Sequence, residues 1–170
     1  MKVSNTGPLI VLYETGLLSI LHQMYDEVLV PLAVYNEISR VEEGVKLLDA
    51  NPWIRVVEVK GKELVRVLLT FLDEGEAEAI TLAKESNLPI LLDERKGRRI
   101  AKSLGVRVEG TLGLLVRAKR RGLVSSVREL IYVETNRFPF FLCPSLIYVS
   151  IFSSLLLCYD FISLFSKILY

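Results

Sequence analysis

From its first residue the chain alternates short apolar runs with stretches of helical spacing. Lys2–Ser4 reads as a strand, and Pro8 stands where helices like to begin, so Leu9–Tyr13 continues a helix that Gly16 can close. Leu17–Met24 repeats a short helical pattern. Glu27–Val30 is a compact β-type run halted by Pro31, and Leu32, Tyr35 and Ile38 then recur at helical spacing across Pro31–Ser39. Trp53–Val59 alternates as a strand or a sheet-edge segment. Glu63–Leu72 reads as a helix with Leu64, Val67, Leu68 and Phe71 on one face. Asp73 is placed to cap the helix Gly75–Glu85, because an Asp side chain accepts the free N–H groups of a first turn. Leu88–Leu92 is an uninterrupted apolar run, the pattern of a strand buried on both faces. A helix over Arg95–Leu104 ending at Gly105, a strand at Val106–Val108 and a helix at Thr111–Arg121 complete the rhythm. Strands alternating with helices in this way predict an α/β fold around a parallel sheet. No internal repeat is visible.

That fold class directs attention to particular side chains. In an open parallel sheet, functional groups gather just beyond the carboxyl ends of the strands. Asn5 follows the first strand, and Asp93 follows the buried run LPILL. Glu37 sits in the helix after the second strand, and Glu76 lies in the first turn of the helix before LPILL, with Glu78 two residues on. Oxygen-bearing side chains converging from separate elements repel one another, and a hard cation such as Mg²⁺ or Mn²⁺ relieves the repulsion. Such a cation lowers the pKa of a water and stabilises charge on a phosphodiester. Taken alone, the same acids also fit a solvated face with helix caps, since Asp and Glu favour helix starts. His22 is the only histidine, which leaves no basis for a histidine-built zinc or ribonuclease centre. Gly110 and Gly113 form no phosphate-loop signature.

The strings VSNTGPLI, Pro31 with Val34 and Glu37, LDEGEAEAITLA, LLDERKGRRIAKSLG and GTLGLLVRAKRRGL together resemble the PIN-domain superfamily. The likeness runs from about Lys2 to Leu130 and is closest to small prokaryotic proteins related to the toxin ribonucleases of toxin–antitoxin pairs. The resemblance implies a three-layer α/β/α sandwich with a mostly parallel central sheet. It implies metal-dependent hydrolysis of RNA, an acidic site of Asn5, Glu37, Glu76 and Asp93 binding Mg²⁺ or Mn²⁺, and a supporting hydrogen bond from Thr6. Glu94 would help hold the metal or its water. A small antitoxin is the partner a toxin of this kind takes, and a homodimer is the implied assembly. Spacing to Asp93 favours Glu76 over Glu78, which stays in a supporting role; a helix points residues two apart in different directions. Where the family pattern has aspartate this chain has Asn5, which offers a carbonyl oxygen to a metal but no charge. Lower metal affinity and weaker activity are therefore expected. The alternative is a catalytically weakened domain that holds RNA without cutting it. A receiver-like domain with Asp93 as phosphoacceptor fits less well, since the first strand ends in Ser4–Asn5 without an acidic pair.

Charge sharpens this picture. The net charge of +1 hides two opposed parts: residues 1–94 carry 16 Asp/Glu against 8 Lys/Arg, whereas residues 95–170 carry 13 Lys/Arg against 4 Asp/Glu. Between Arg95 and Arg121 lie Arg95, Lys96, Arg98, Arg99, Lys102, Arg107, Arg117, Lys119, Arg120 and Arg121 with only Glu109 opposing them, as capture of a phosphate backbone requires. An ordinary charged helix face would show compensating acids. No aromatics interleave, so stacking of single-stranded bases is not expected.

The total of 170 residues suits one domain, read as residues 1–134. Cys143 and Cys158 both lie beyond it, so the domain has neither a disulfide framework nor a cysteine zinc site, which fits a reducing, cytoplasmic setting. Asn5 and Pro8 interrupt the N-terminal apolar run, so it reads as a strand entering a helix and not as a signal peptide. The mean hydropathy of +0.40 owes much to residues 135–170. Phe138–Tyr159 carries no charge but includes Pro139, Pro144 and four serines. Against a membrane anchor or a hydrophobic oligomerisation segment, this tail reads best as the product of a shifted reading frame, with membrane contact expected only if it is a genuine part of the protein.

Overall fold

Five short strands pair in parallel. In the computed structural model, which describes residues 1–124, they are β1 (Lys2–Ser4), β2 (Val28–Pro31), β3 (Ile54–Val57), β4 (Ile90–Leu91) and β5 (Val108–Glu109). They form one sheet in the order β3-β2-β1-β4-β5. The described helices are α1 (Thr6–Glu14), α2 (Ser19–Tyr25), α3 (Leu32–Ile38), α4 (Glu42–Asp49), α5 (Lys62–Leu68), α6 (Glu74–Glu85), α7 (Arg95–Ser103) and α8 (Thr111–Arg120). The expected α/β architecture is therefore present, and every strand pairing in it is parallel. All residues of β1, β2 and β4 are buried, Lys2 and Ser4 of β1 included, as central strands covered on both faces require, while β3 and β5 at the edges are more open. Met1–Leu114 makes one compact unit containing all five strands, and α8 carries the chain into a second unit that starts at Leu115.

The strand order places the site. From β1 the chain steps outward to β2 and β3, then returns on the other side of β1 to build β4 and β5. The direction of winding thus reverses between β1 and β4, and such a reversal opens a crevice beyond the carboxyl ends of the two strands. Their register is Val3 with Ile90 and Ser4 with Leu91. The Asn5 N–H continues the ladder by donating to the Leu91 carbonyl at 3.1 Å. The segments after β1 and β4 consequently emerge side by side.

One charged residue lies inside this apolar sheet. Lys2 is 2% exposed, and its ammonium donates to the Glu109 carboxylate and, at 3.0 Å, to the Tyr25 hydroxyl. The hydroxyl in turn donates to Glu109 Oε2 at 2.8 Å. Both partners keep the buried cation hydrogen-bonded, which burial demands. At the edge, Trp53 stacks on His22 with ring centroids 5.4 Å apart.

Several boundaries differ from the sequence reading. α1 starts at Thr6, two residues before Pro8. β4 spans only Ile90–Leu91, although the Pro89 carbonyl and the Leu92 N–H still bond across the sheet. β5 lies at Val108–Glu109, a little later than expected. α4 has no counterpart in the sequence reading; it has Glu42 and Glu43 in its first turn and buries Leu47. The larger correction concerns α5, which ends at Leu68 and buries Val65 and Leu68, followed by Leu72. Val67 and Phe71 are 58% and 56% exposed, so the predicted apolar face is out of phase with the observed one. Packing of α5 against α6 selects the face, and the turn at Leu69–Leu72, closed by N–H groups of Phe71 and Leu72 on the Leu68 carbonyl, ends the helix. Among the described residues no helix is long and apolar enough to cross a membrane. The expected boundary at residue 134 and the tail 135–170 lie outside the described residues.

The corrected phase is open to test by denaturant unfolding. Leu68→Ala is expected to lower stability by about 2–5 kcal/mol, whereas Val67→Ala is expected to stay within about 0.5 kcal/mol of the parent. The reverse order would restore the original face.

Candidate active site

The residue after β1 begins the site. Asn5 is the N-cap of α1 in extended conformation, yet its side chain makes no capping bond. Its Oδ1 is buried and has no hydrogen-bond donor. The next residue, Thr6, donates its hydroxyl to Glu37 Oε2 and so ties α1 to α3. From α6 comes a third contribution. Asp73 caps that helix, its Oδ1 accepting the Glu76 N–H at 2.7 Å. The oxygens of these elements crowd one backbone position, Gly75. A methyl group replacing a hydrogen there would lie 3.0 Å from Glu37 Oε2, 3.4 Å from Asn5 Oδ1 and 3.6 Å from Asp73 Oδ1.

Glu76 lies deeper. It is 4% exposed, and its Oε1 is buried without a partner. It rests against α7, where a methyl on Gly97 would come within 2.8 Å of that oxygen. Its carboxyl is pushed up from 4.5 to about 7, chiefly by burial, then by the negative charges of Asp73 and Glu94, with Lys96 opposing and Glu37 adding to the rise. Asp93, following β4, accepts from the Thr111 N–H at 2.8 Å and from the Thr111 hydroxyl at 2.5 Å. Glu94 caps α7 through a bond from the Lys96 N–H at 3.3 Å.

The donor set is entirely oxygen, as Mg²⁺ and Mn²⁺ prefer. Two of its oxygens, Asn5 Oδ1 and Glu76 Oε1, are buried acceptors lacking any donor, and a cation would also relieve the repulsion acting on Glu76. The residues therefore fit a hard divalent cation. Among the described residues, however, no three Asp, Glu, His or Cys side chains are grouped as a ready-made metal site. Residues 1–151 match the model of a family described as PIN domain. The chain belongs to the PIN-domain family. No curated protein matches the sequence. PIN domains are in general nucleases and typically depend on a divalent metal.

Within this PIN domain the residues expected from sequence take distinct places. Asn5, Thr6 and Glu37 meet around the end of β1, and Glu76 lies in the first turn of α6. Glu78 turns elsewhere: its Oε2 accepts the Ala33 N–H at 3.0 Å, in the first turn of α3. Pro31, the N-cap of that helix, makes no side-chain capping bond, so Glu78 supplies one from α6 and helps set the helix that carries Glu37. Asp93 is held by Thr111, and Glu94 is exposed at the start of α7.

The basic residues divide as well. Arg95, Lys96 and Arg99 are exposed and line an open groove of about 680 Å³ with Glu94, Ile100 and Ser103. Arg98 is half-buried with its guanidinium beside Gly110, where a methyl would lie 3.0 Å from Nη1 and 2.8 Å from Asp93 Oδ1. Lys102 and Arg107 are exposed. In the second unit Arg120 and Arg121 are exposed, Lys119 is half-buried, and the half-buried Arg117 has its pKa lowered by burial and then by Arg121. Sequence reasoning missed Thr111 as the clamp on Asp93, and it gave Asp73 only a capping role. The Gly-Thr pair opening α8 and the glycine next to the acids of α6 were the available signals.

The raised Glu76 carboxyl has a consequence for stability. With its folded pKa near 7 against an ordinary 4.5, the metal-free protein loses stability as pH rises between those values, and the full loss, about 3 kcal/mol, is present above pH 7. In EDTA, Glu76→Gln is expected to melt higher than the parent at pH 8, with the gap closing towards pH 4.5. A gap of constant size across that range would show that charge burial is not its origin.

Proposed function

We propose that this PIN domain is an endoribonuclease that hydrolyses RNA phosphodiester bonds with Mg²⁺ or Mn²⁺, acting as the toxin of a toxin–antitoxin pair. The observation that carries the reading is the pair of buried acceptor oxygens without donors, on Asn5 and Glu76, at the winding reversal between β1 and β4. Asn5, Glu37, Glu76 and Asp93 would hold the cation, with Glu94 close by. When bound, the cation activates water and neutralises charge on the phosphate.

The chain's own groups do the rest. Thr6 fixes the orientation of Glu37, and Thr111 fixes that of Asp93, so neither carboxylate needs to reorganise when substrate arrives. Glu37 and Glu94 are exposed and able to accept a proton during hydrolysis. Arg95, Lys96 and Arg99 form the groove that starts at Glu94 and would grip the phosphates flanking the scissile bond. Arg98 and Lys102 on the same helix, and Arg117, Lys119, Arg120 and Arg121 of the second unit, belong to the proposed RNA-contacting set. An antitoxin covering the acidic site and a homodimer complete the reading.

The second reading, an RNA-binding module with weakened catalysis, draws on Asn5, whose amide brings no negative charge to the cation. RNA cleavage by the full chain separates the two. Cleavage is expected with Mn²⁺, is expected to stop in EDTA, and is expected to fall at least about 100-fold in Asp93→Ala. RNA binding without cleavage at any Mn²⁺ concentration would leave the module. The groove makes its own prediction. Replacing Arg95, Lys96 and Arg99 together by Ala should reduce the slope of log affinity against log salt by roughly 2, at about 0.7 per lost phosphate contact. An unchanged slope would place the RNA elsewhere.

A further inference from the structure

A carboxylate outside the expected acidic set stands at the point where that set lacks a charge. We infer that Asp73, besides capping α6, serves the cation site as the negative charge that Asn5 does not provide. The inference rests on the metal-dependent reading above and assigns Asp73 a role in it.

Capping accounts for only part of what Asp73 does. It uses one oxygen to accept the Glu76 N–H, and an ionised carboxylate has about four lone-pair sites. A neutral Asn or Ser caps a helix as well as Asp does. Glu74 and Glu76 already put two acids in the first turn of α6, so the helix dipole does not call for a third. The Asp73 carboxylate instead sets a like charge beside the buried Glu76, whose N–H it accepts, and the two carboxylates repel. A cap alone gains nothing from that repulsion; a cation site does.

Geometry connects Asp73 to the cation and not merely to Glu76. Its Oδ1 borders the same point on Gly75 as Asn5 Oδ1 and Glu37 Oε2, at 3.6, 3.4 and 3.0 Å. Asn5 Oδ1 is buried and lacks a donor, and the 4%-exposed Glu76, next to Gly75 in the first turn of α6, leaves Oε1 unpartnered on its side towards Gly97. These orphaned acceptors point to a ligand, and Asp73 and Glu37 are the carboxylates that share the Gly75 point with Asn5. The missing charge at the end of β1 is thus supplied from the start of α6.

Mn²⁺ binding to the full chain, read from the electron paramagnetic resonance signal of free Mn²⁺, tests this without reference to activity. Asp73→Asn keeps the cap and removes the charge. It is expected to weaken Mn²⁺ binding by about tenfold or more while leaving the melting temperature in EDTA unchanged or raised. Adding Asn5→Asp to Asp73→Asn is expected to bring the affinity back towards the parent's. Asp73→Ser provides the same comparison should Asp73→Asn melt early. Parental Mn²⁺ affinity in both Asp73 variants, with affinity lost in Glu37→Gln, would overturn the inference and leave the nuclease reading standing. Failure of the parent itself to bind Mn²⁺ would overturn both.

Discussion

The parallel pairing of β1 with β4 is the constraint on which the rest of the site depends. It joins two strands far apart in the chain and sets Ser4 level with Leu91, so that Asn5 and the segment leading to Asp93 leave the sheet together. The bond from the Asn5 N–H to the Leu91 carbonyl prolongs this pairing by one residue past β1. The winding reverses at this junction, and polar groups gather beyond the ends of the two strands. The buried apolar strands supply the rigidity, and the polar residues that follow them are placed by it.

Around that junction Glu37 is held by the Thr6 hydroxyl, and other acids are kept in position by backbone N–H groups. Asp73 accepts from Glu76, Glu94 from Lys96, and Asp93 from Thr111, each at the start of a helix. The exposed N–H groups and positive dipole ends of α6, α7 and α8 hold negative charge where the chain turns inward. Glu76 is the exception. It is buried without such a partner at Oε1, and the neighbouring negative charges push its carboxyl away from ionisation. The local structure therefore tolerates its acids unevenly, and the imbalance is what a cation would correct.

Much of this was readable from the sequence because it depends on neighbours in the chain. Asp73 as a cap, the buried Ile90–Leu92 end of the run LPILL, the glycines closing α1 and α7, and the strand-end positions of Asn5 and Asp93 follow from local pattern alone. The phase of α5 did not, since Leu64, Val65, Val67 and Leu68 allow two apolar faces and only contact with α6 selects one. Glu78 illustrates the same limit. Its bond to Ala33 spans 45 residues, and spacing along one helix says nothing of such a partner. Asp73 near Asn5 and Thr111 against Asp93 are likewise products of the sheet order, which a single sequence implies only loosely.

The packing of Glu76 against Gly97 links two positions on different helices. The oxygen of the acid occupies the volume that a side chain at position 97 would need, with Leu92 closing the other side at 3.0 Å. The two sites are therefore not free to drift independently. While Glu76 keeps this position, a larger residue at 97 needs the carboxylate end of Glu76 or the Leu92 side chain to move first. Relatives of this chain should record that dependence as paired changes at the two positions.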